Sequence, residues 1–170
     1  YNQGAWHGAV CVASRTMLNT GRFLWAAKDI EKKLAGEVQA GRLWPQYFRQ
    51  AGYTTYFSGK WHVQTNVNDI FDVVRHVRPG MPDVYPNNKP HAYNRPASSD
   101  AKIWNPSDPN EGGYWEGGKH WSEVVADDAT EYLHQASQAD KPFFMYLAFN
   151  APHDPRQSPS EFLDRYPTDQ

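Results

Sequence analysis

The sequence predicts an α/β fold with a mainly parallel sheet, and three observations predict it. Residues 53–57, Tyr-Thr-Thr-Tyr-Phe, are β-branched and aromatic, the composition of a strand. In Trp121–Ser137 most apolar residues recur at a 3.6-residue period, the mark of an amphipathic helix. Residues 143–149 form a near-continuous apolar run, which suits a strand covered on both faces, as in a parallel sheet. Strand, helix, strand in that order is the α/β pattern. The chain has 170 residues, about one average domain and enough to bury a core.

Taken in order, residues 14–20 read as a short helix, capped by Ser14 or a neighbour and closed by Gly21. Residues 29–38 read as a second helix. Residues 44–51 read as a third, with Pro45 in the first turn and Gly52 just past the end. The strand at 53–57 runs directly into Ser58-Gly59-Lys60-Trp61-His62. Residues 70–74 suggest a second, short strand. Residues 78–119 read as a long Pro/Gly-rich loop insertion, holding seven of the 13 prolines. Gly112-Gly113 and Gly117-Gly118 bracket Tyr114-Trp115-Glu116 there, and a loop of such length is usually functional or mobile. The helix Trp121–Ser137 turns Trp121, Val124, Val125, Ala129, Tyr132, Leu133 and Ala136 to one face. Pro142 then introduces the buried strand.

Charge and composition exclude several classes. With 17 Lys+Arg against 19 Asp+Glu the net charge is -2, without the basic footprint of a nucleic-acid binder. The longest apolar run is seven residues, where a membrane helix needs about 20. One cysteine, Cys11, rules out an internal disulfide and any multi-cysteine metal site. Aromatics are 15% of residues with seven Trp, which suits contact with sugar rings and equally an aromatic core under long connections. The opening Tyr1-Asn2-Gln3-Gly4 has neither a basic n-region nor an apolar h-region. It reads as the start of a piece whose natural N-terminus lies upstream.

Three places carry chemistry. Cys11-Val12-Ala13-Ser14-Arg15 is a small buried hydrophobe before a helix, as most lone cysteines are, or a residue shown to an anion at a helix N-terminus with Arg15 one turn on. Lys60 and His62 close a strand. Two apart in extended chain they share a side, where a cation and a proton shuttle suit an oxyanion; the plain alternative is a surface lysine and a satisfied histidine. Asn150-Ala151-Pro152-His153-Asp154-Pro155 follows the second strand, and its two prolines hold His153; the plain alternative is a turn. In α/β sheets ligands bind outside such strand ends.

Together these pieces resemble the type I sulfatases. Cys-x-Ala-Ser-Arg at 11–15, with Thr20-Gly21-Arg22, is similar to the first signature of that family. Gly52-Tyr53-x-Thr55, continuing to Gly59-Lys60-Trp61-His62, is similar to the second. Residues 142–144 and Ala151-Pro152-His153-x-Pro155 resemble the strand and loop that carry a catalytic histidine. Ala13 stands where proline is commoner in the family. The resemblance covers residues 11–155 and implies an alkaline-phosphatase/sulfatase-like catalytic domain over residues 1–170, incomplete at both ends.

The resemblance implies that Cys11 is a precursor, oxidised to formylglycine by a maturation enzyme. The aldehyde hydrates; one oxygen binds a divalent metal, usually Ca²⁺, and attacks sulfur, and the second expels sulfate. By motif position Arg15 would hold the formylglycine oxygens, Lys60 the sulfate, His62 would act as base, and His153 would help protonate the leaving oxygen. The family's metal carboxylates lie upstream of the cysteine motif and well downstream of the histidine motif; Cys11 is the one ligand expected within these residues. Asp127-Asp128 is no substitute: the two are mid-helix and about 100° apart, with Asp127 towards solvent and Asp128 placed for a structural hydrogen bond. The expected activity is sulfuric ester hydrolysis, of a sulfated small molecule or carbohydrate, in a periplasmic or secreted enzyme, with these 170 residues inactive alone. Trp115, His120 and Arg156 are candidates for sugar contact, against plain packing of the loop or exposure to solvent. The rivals are a phosphonate or phosphate ester hydrolase of the same superfamily and a non-catalytic sugar-binding domain.

Overall fold

The computed structural model describes residues 10–80, 106–109, 112–153 and 156–167. Asp154, Pro155 and most of the 78–119 loop lie outside the described residues. The chain divides into two compact units, one of residues up to Gly80 with Asp128–Ala148, the other of Met81–Asp127 with the residues from Phe149 on. Among the described residues no helix is long and apolar enough to cross a membrane.

The first unit holds a three-stranded parallel sheet in the order β2-β1-β3, built from β1 (Thr54–Lys60), β2 (Val73–Arg78) and β3 (Phe143–Ala148). It carries α1 (Cys11–Thr20), α2 (Leu24–Ile30), α3 (Leu34–Gln39) and α4 (Trp44–Gln50). The helix α5 (Trp121–Ser137) begins in the second unit and ends in the first.

Successive side chains of a strand face opposite ways, and β1 uses both faces. Phe57 packs with Leu34, Leu43, Trp61, Val67, Ile70 and Phe71, while Tyr56 packs with Tyr132 and Ala136 of α5. The Tyr132 hydroxyl donates to the Phe57 carbonyl at 2.7 Å, which ties α5 to the central strand. Two covered faces explain why β1 lacks the apolar–polar alternation of a half-exposed strand, whereas β3, expected to be buried, is half-buried at the edge of the described sheet, with Phe143 exposed and Ala148 buried.

Several elements differ from the sequence expectation. The first helix starts at Cys11 rather than Ser14, after an extended Val10 that makes no side-chain cap; Gly21 closes it as expected. The expected helix over 29–38 is two helices with a 3₁₀ turn at Glu31–Lys33 between them. The strand expected at 70–74 begins at Val73. Ile70 and Phe71 are core residues beside the 3₁₀ turn Val67–Asp69, and burial alone gave them a strand-like look. The Asp72 carboxylate accepts from Thr55 N and Oγ1 at 2.9 and 2.8 Å, fixing where β2 enters beside β1. In α5, Leu133 is 52% exposed and lies off the buried face.

Gly59 carries a requirement of its own. The β1–β2 register slips between Ser58 and Gly59, and Gly59 has φ +108. A Cβ there would sit 2.2 Å from the Ala148 carbonyl oxygen. Only glycine lets β3 approach this closely, and the next residue is Lys60. Below the bulge, Asp128 accepts from Ser58 Oγ at 2.5 Å and meets His76 Nδ1 at 2.9 Å, the structural bond the sequence suggested for it.

Candidate active site

Cys11 is the first residue of α1 and is half-buried. Val10, at the N-cap, gives no side-chain cap, and the first-turn N–H groups with the positive end of the helix dipole lie at Cys11. Lys60, last in β1, is 1% exposed, and its Nζ lies 3.5 Å from Cys11 Sγ. Lysine is almost never this buried without a partner. Burial pushes its pKa below the ordinary lysine value; the Cys11 sulfur acts the other way, and the Arg15 charge lowers it further.

Arg15, one turn along α1, donates through Nη1 to the Lys60 carbonyl at 2.6 Å and to the Tyr146 hydroxyl at 3.4 Å. One guanidinium thus fastens α1 to the end of β1 and to β3. Asn19 Nδ2 donates back to the Arg15 carbonyl at 2.8 Å. The rest of the first motif is explained by folding: Thr20 Oγ1 bonds the Thr16 carbonyl at 2.7 Å, Gly21 caps the helix, and Arg22 pairs with Glu37 at 3.2 Å. One cation, Lys60, thus meets the Cys11 side chain at a helix start, and a second, Arg15, fastens the Lys60 backbone beside it, an arrangement suited to a tetrahedral oxyanion.

His62 departs from the expected geometry. The strand ends at Lys60, and His62 has φ +50, so the alternation that would put both side chains on one side stops short of it. Its ring lies against Gly80, just beyond β2: a Cβ on Gly80 would meet His62 Nε2 at 3.5 Å. It stays at the C-terminal end of the sheet, past β1 and beside the exit of β2.

The second unit holds His153, with the Ala151–Pro152 peptide bond cis. His153, Arg156, His120, Trp121, Asn150 and Gln157 line a cavity of about 200 Å³. The His120 ring is engaged twice: Nδ1 accepts the Ser122 N–H at 3.2 Å, and Nε2 meets the Gln157 carbonyl at 3.1 Å. Its wall is therefore a ring surface with both nitrogens used. Trp115 packs on Trp121, ring centroids 6.0 Å apart, and is not among the cavity's lining residues. Sequence reasoning missed Tyr146 as a partner of Arg15; its signal was a single hydroxyl in the middle of an apolar strand.

The Sulfatase family model matches residues 1–170. The chain belongs to the sulfatase family.

Among curated relatives of this sulfatase chain is an uncharacterized sulfatase, YidJ, of Escherichia coli K12, 24% identical over 161 residues. That match covers 92% of this chain and 32% of the relative. An arylsulfatase of Klebsiella aerogenes is 27% identical over 129 residues, covering 70% of this chain and 25% of its own. The chain therefore spans a third or less of the curated relatives it matches. The solved structure of Ps i-CgsB in complex with k-i-k-neocarrahexaose shares the fold at TM-score 0.57 and 19% identity, over 94% of this chain and 38% of that one. The expected sulfatase-type architecture, a parallel sheet flanked by helices, is the one observed.

Calcium, which the family implies, finds no set of donors here. Among the described residues no three His, Cys, Asp or Glu side chains come together as a metal group. The charged side chains described around Cys11 are cations. These residues suit an anion.

Proposed function

We propose that the protein to which this chain belongs hydrolyses sulfate esters, with Cys11 as the residue converted to formylglycine. The observation that carries this reading is Lys60: a lysine 1% exposed with its amine 3.5 Å from the Cys11 sulfur, at the first residue of α1. A buried cation held at the side chain of a family motif has a chemical use there that packing does not require.

Formylglycine, as its hydrate, supplies the oxygen nucleophile for sulfur. Lys60 and the first-turn N–H groups of α1 bind the sulfate oxygens, and they strengthen as charge grows on them in the transition state. Arg15 holds the Lys60 backbone in place and directs its remaining donors to the same oxygens. His62 takes the proton whose loss releases sulfate. His153 gives a proton to the ester oxygen as the alcohol leaves. The alcohol belongs to a sulfated small molecule or carbohydrate.

The test is mass spectrometry of the Cys11 peptide after co-expression with a formylglycine-generating enzyme. Replacing CH₂SH by CHO removes about 18 Da. An unchanged peptide, under conditions that convert a control sulfatase, would overturn the assignment of Cys11.

A further inference from the structure

Two side chains lining the cavity of the second unit hold polar atoms that no hydrogen bond uses among the described residues. Gln157 is 7% exposed, and its Oε1 accepts the Gly113 N–H. A backbone N–H can only donate, so this bond settles which end of the amide is oxygen. The other end, Nε2, is buried and without a partner among the described residues. Asn150 lines the same cavity, and its Oδ1 is also buried and without a partner among them.

Gln157 is held firmly in this position. A Cβ on Gly113 would fall 2.6 Å from Gln157 Cβ and 2.7 Å from Oε1, so the loop must have glycine there for the side chain to fit. His120 Nδ1 accepts from Ser122, which leaves Nε2–H to donate to the Gln157 carbonyl. Its own backbone and its amide oxygen are thus both used, and the amide donor is left over. A buried polar atom without a partner costs about 1–3 kcal/mol, and native structures hold few.

We propose that Asn150 and Gln157 form a subsite for a carbon-bound hydroxyl of an uncharged, polyhydroxylated ring. A hydroxyl can accept from Gln157 Nε2 and donate to Asn150 Oδ1; a carboxylate lacks the donor and an ammonium lacks the acceptor. Trp121 and Pro152 give the ring apolar walls. A space of about 200 Å³ admits a ring as well as water, and water is the rival occupant for the two atoms. The inference rests on the sulfatase reading and deepens it: these two side chains select the alcohol, apart from the groups that bind sulfate.

The experiment uses the mature full-length enzyme, with sulfated methyl glycosides set against para-nitrophenyl sulfate, which has no hydroxyl. Gln157→Glu keeps the acceptor for Gly113 and removes the donor. Asn150→Ala removes an oxygen that bonds nothing among the described residues, so a structural role alone predicts no loss. For each variant the ratio of kcat/KM for glycoside over aryl sulfate should fall at least about tenfold. Equal losses on both substrates, or none, overturn the subsite and leave a structural water as its occupant. Wild-type turnover of the aryl sulfate with every glycoside refused overturns it too. If the mature enzyme hydrolyses neither, the sulfatase reading falls and binding judges the subsite. A tryptophan fluorescence change with unsulfated methyl glycosides, abolished by both substitutions, upholds it. No change at millimolar concentrations overturns it.

Discussion

At the end of β1 the first unit gathers charge: a buried lysine, an arginine spent partly on that lysine's carbonyl, and a helix start with no side-chain cap. The loop after β3, in the second unit, gathers mostly uncharged polarity: two amides, a histidine with both nitrogens engaged, an indole, with Arg156 and His153 beside them. The first kind of surface recognises an anion of any parentage. The second reads the shape and hydroxyls of a neutral body. The contrast shows that charge and neutral polarity are gathered in different units of the chain.

The largest effect expected on this comparison comes from Lys60→Met. Removing the buried cation should lower kcat/KM about a thousandfold on every sulfate ester, whatever its alcohol. The same variant should melt about 3 °C higher at neutral pH. The sign follows from the lowered pKa: a charge disfavoured by burial costs stability below the folded pKa, and that cost fades as pH rises towards 10.5. A loss confined to one class of alcohol would break the comparison.

His153→Ala probes the other side. If its imidazole protonates the leaving oxygen, the variant should lose about a hundredfold on alkyl sulfates and far less on activated aryl sulfates. A uniform loss would move His153 into the group that binds sulfate and blur the division between the regions.

The smallest effect concerns Glu37, which holds Arg22 and Arg42 away from both places. Its hydrogen bond from Arg42, with Arg22 adding to it, lowers its pKa to about 2. Stability from a lowered carboxylate is present above the ordinary value of 4.5 and is lost as pH falls towards 2. Glu37→Gln should cost about 1 kcal/mol in denaturant melts at pH 7 and nothing near pH 2. A cost that persists at pH 2 would show that Glu37 acts by packing.

Much of this was legible in sequence because local signals agreed with tertiary ones. Helix α5 has the expected bounds, since its period and burial coincide. The strand β1 was visible because it is covered on two faces, and β3 because its alternate residues pack partly against a core cluster on each face. Ile70 and Phe71 misled because burial, not extension, made them apolar. His62 misled because a left-handed residue after a strand leaves no trace in composition. Lys60 was readable as a candidate, but its burial was not: that depends on α1 closing over the strand end, a contact across 49 positions. Gln157 could not be read beyond its polarity, because its role comes from Gly113, 44 positions away.

The parallel register also sets an order for making the molecule. Phe57 lies beside Tyr146, so the edge of β1 that receives β3 has no covalent neighbour to close it. A hairpin can zip as soon as its second strand leaves the ribosome, but this pair must wait for nearly ninety further residues. Over that interval the growing chain carries an uncovered, aromatic strand edge, the kind of surface that pairs with other chains. The β1–β3 pairing therefore makes the period of synthesis a time when this chain is open to aggregation.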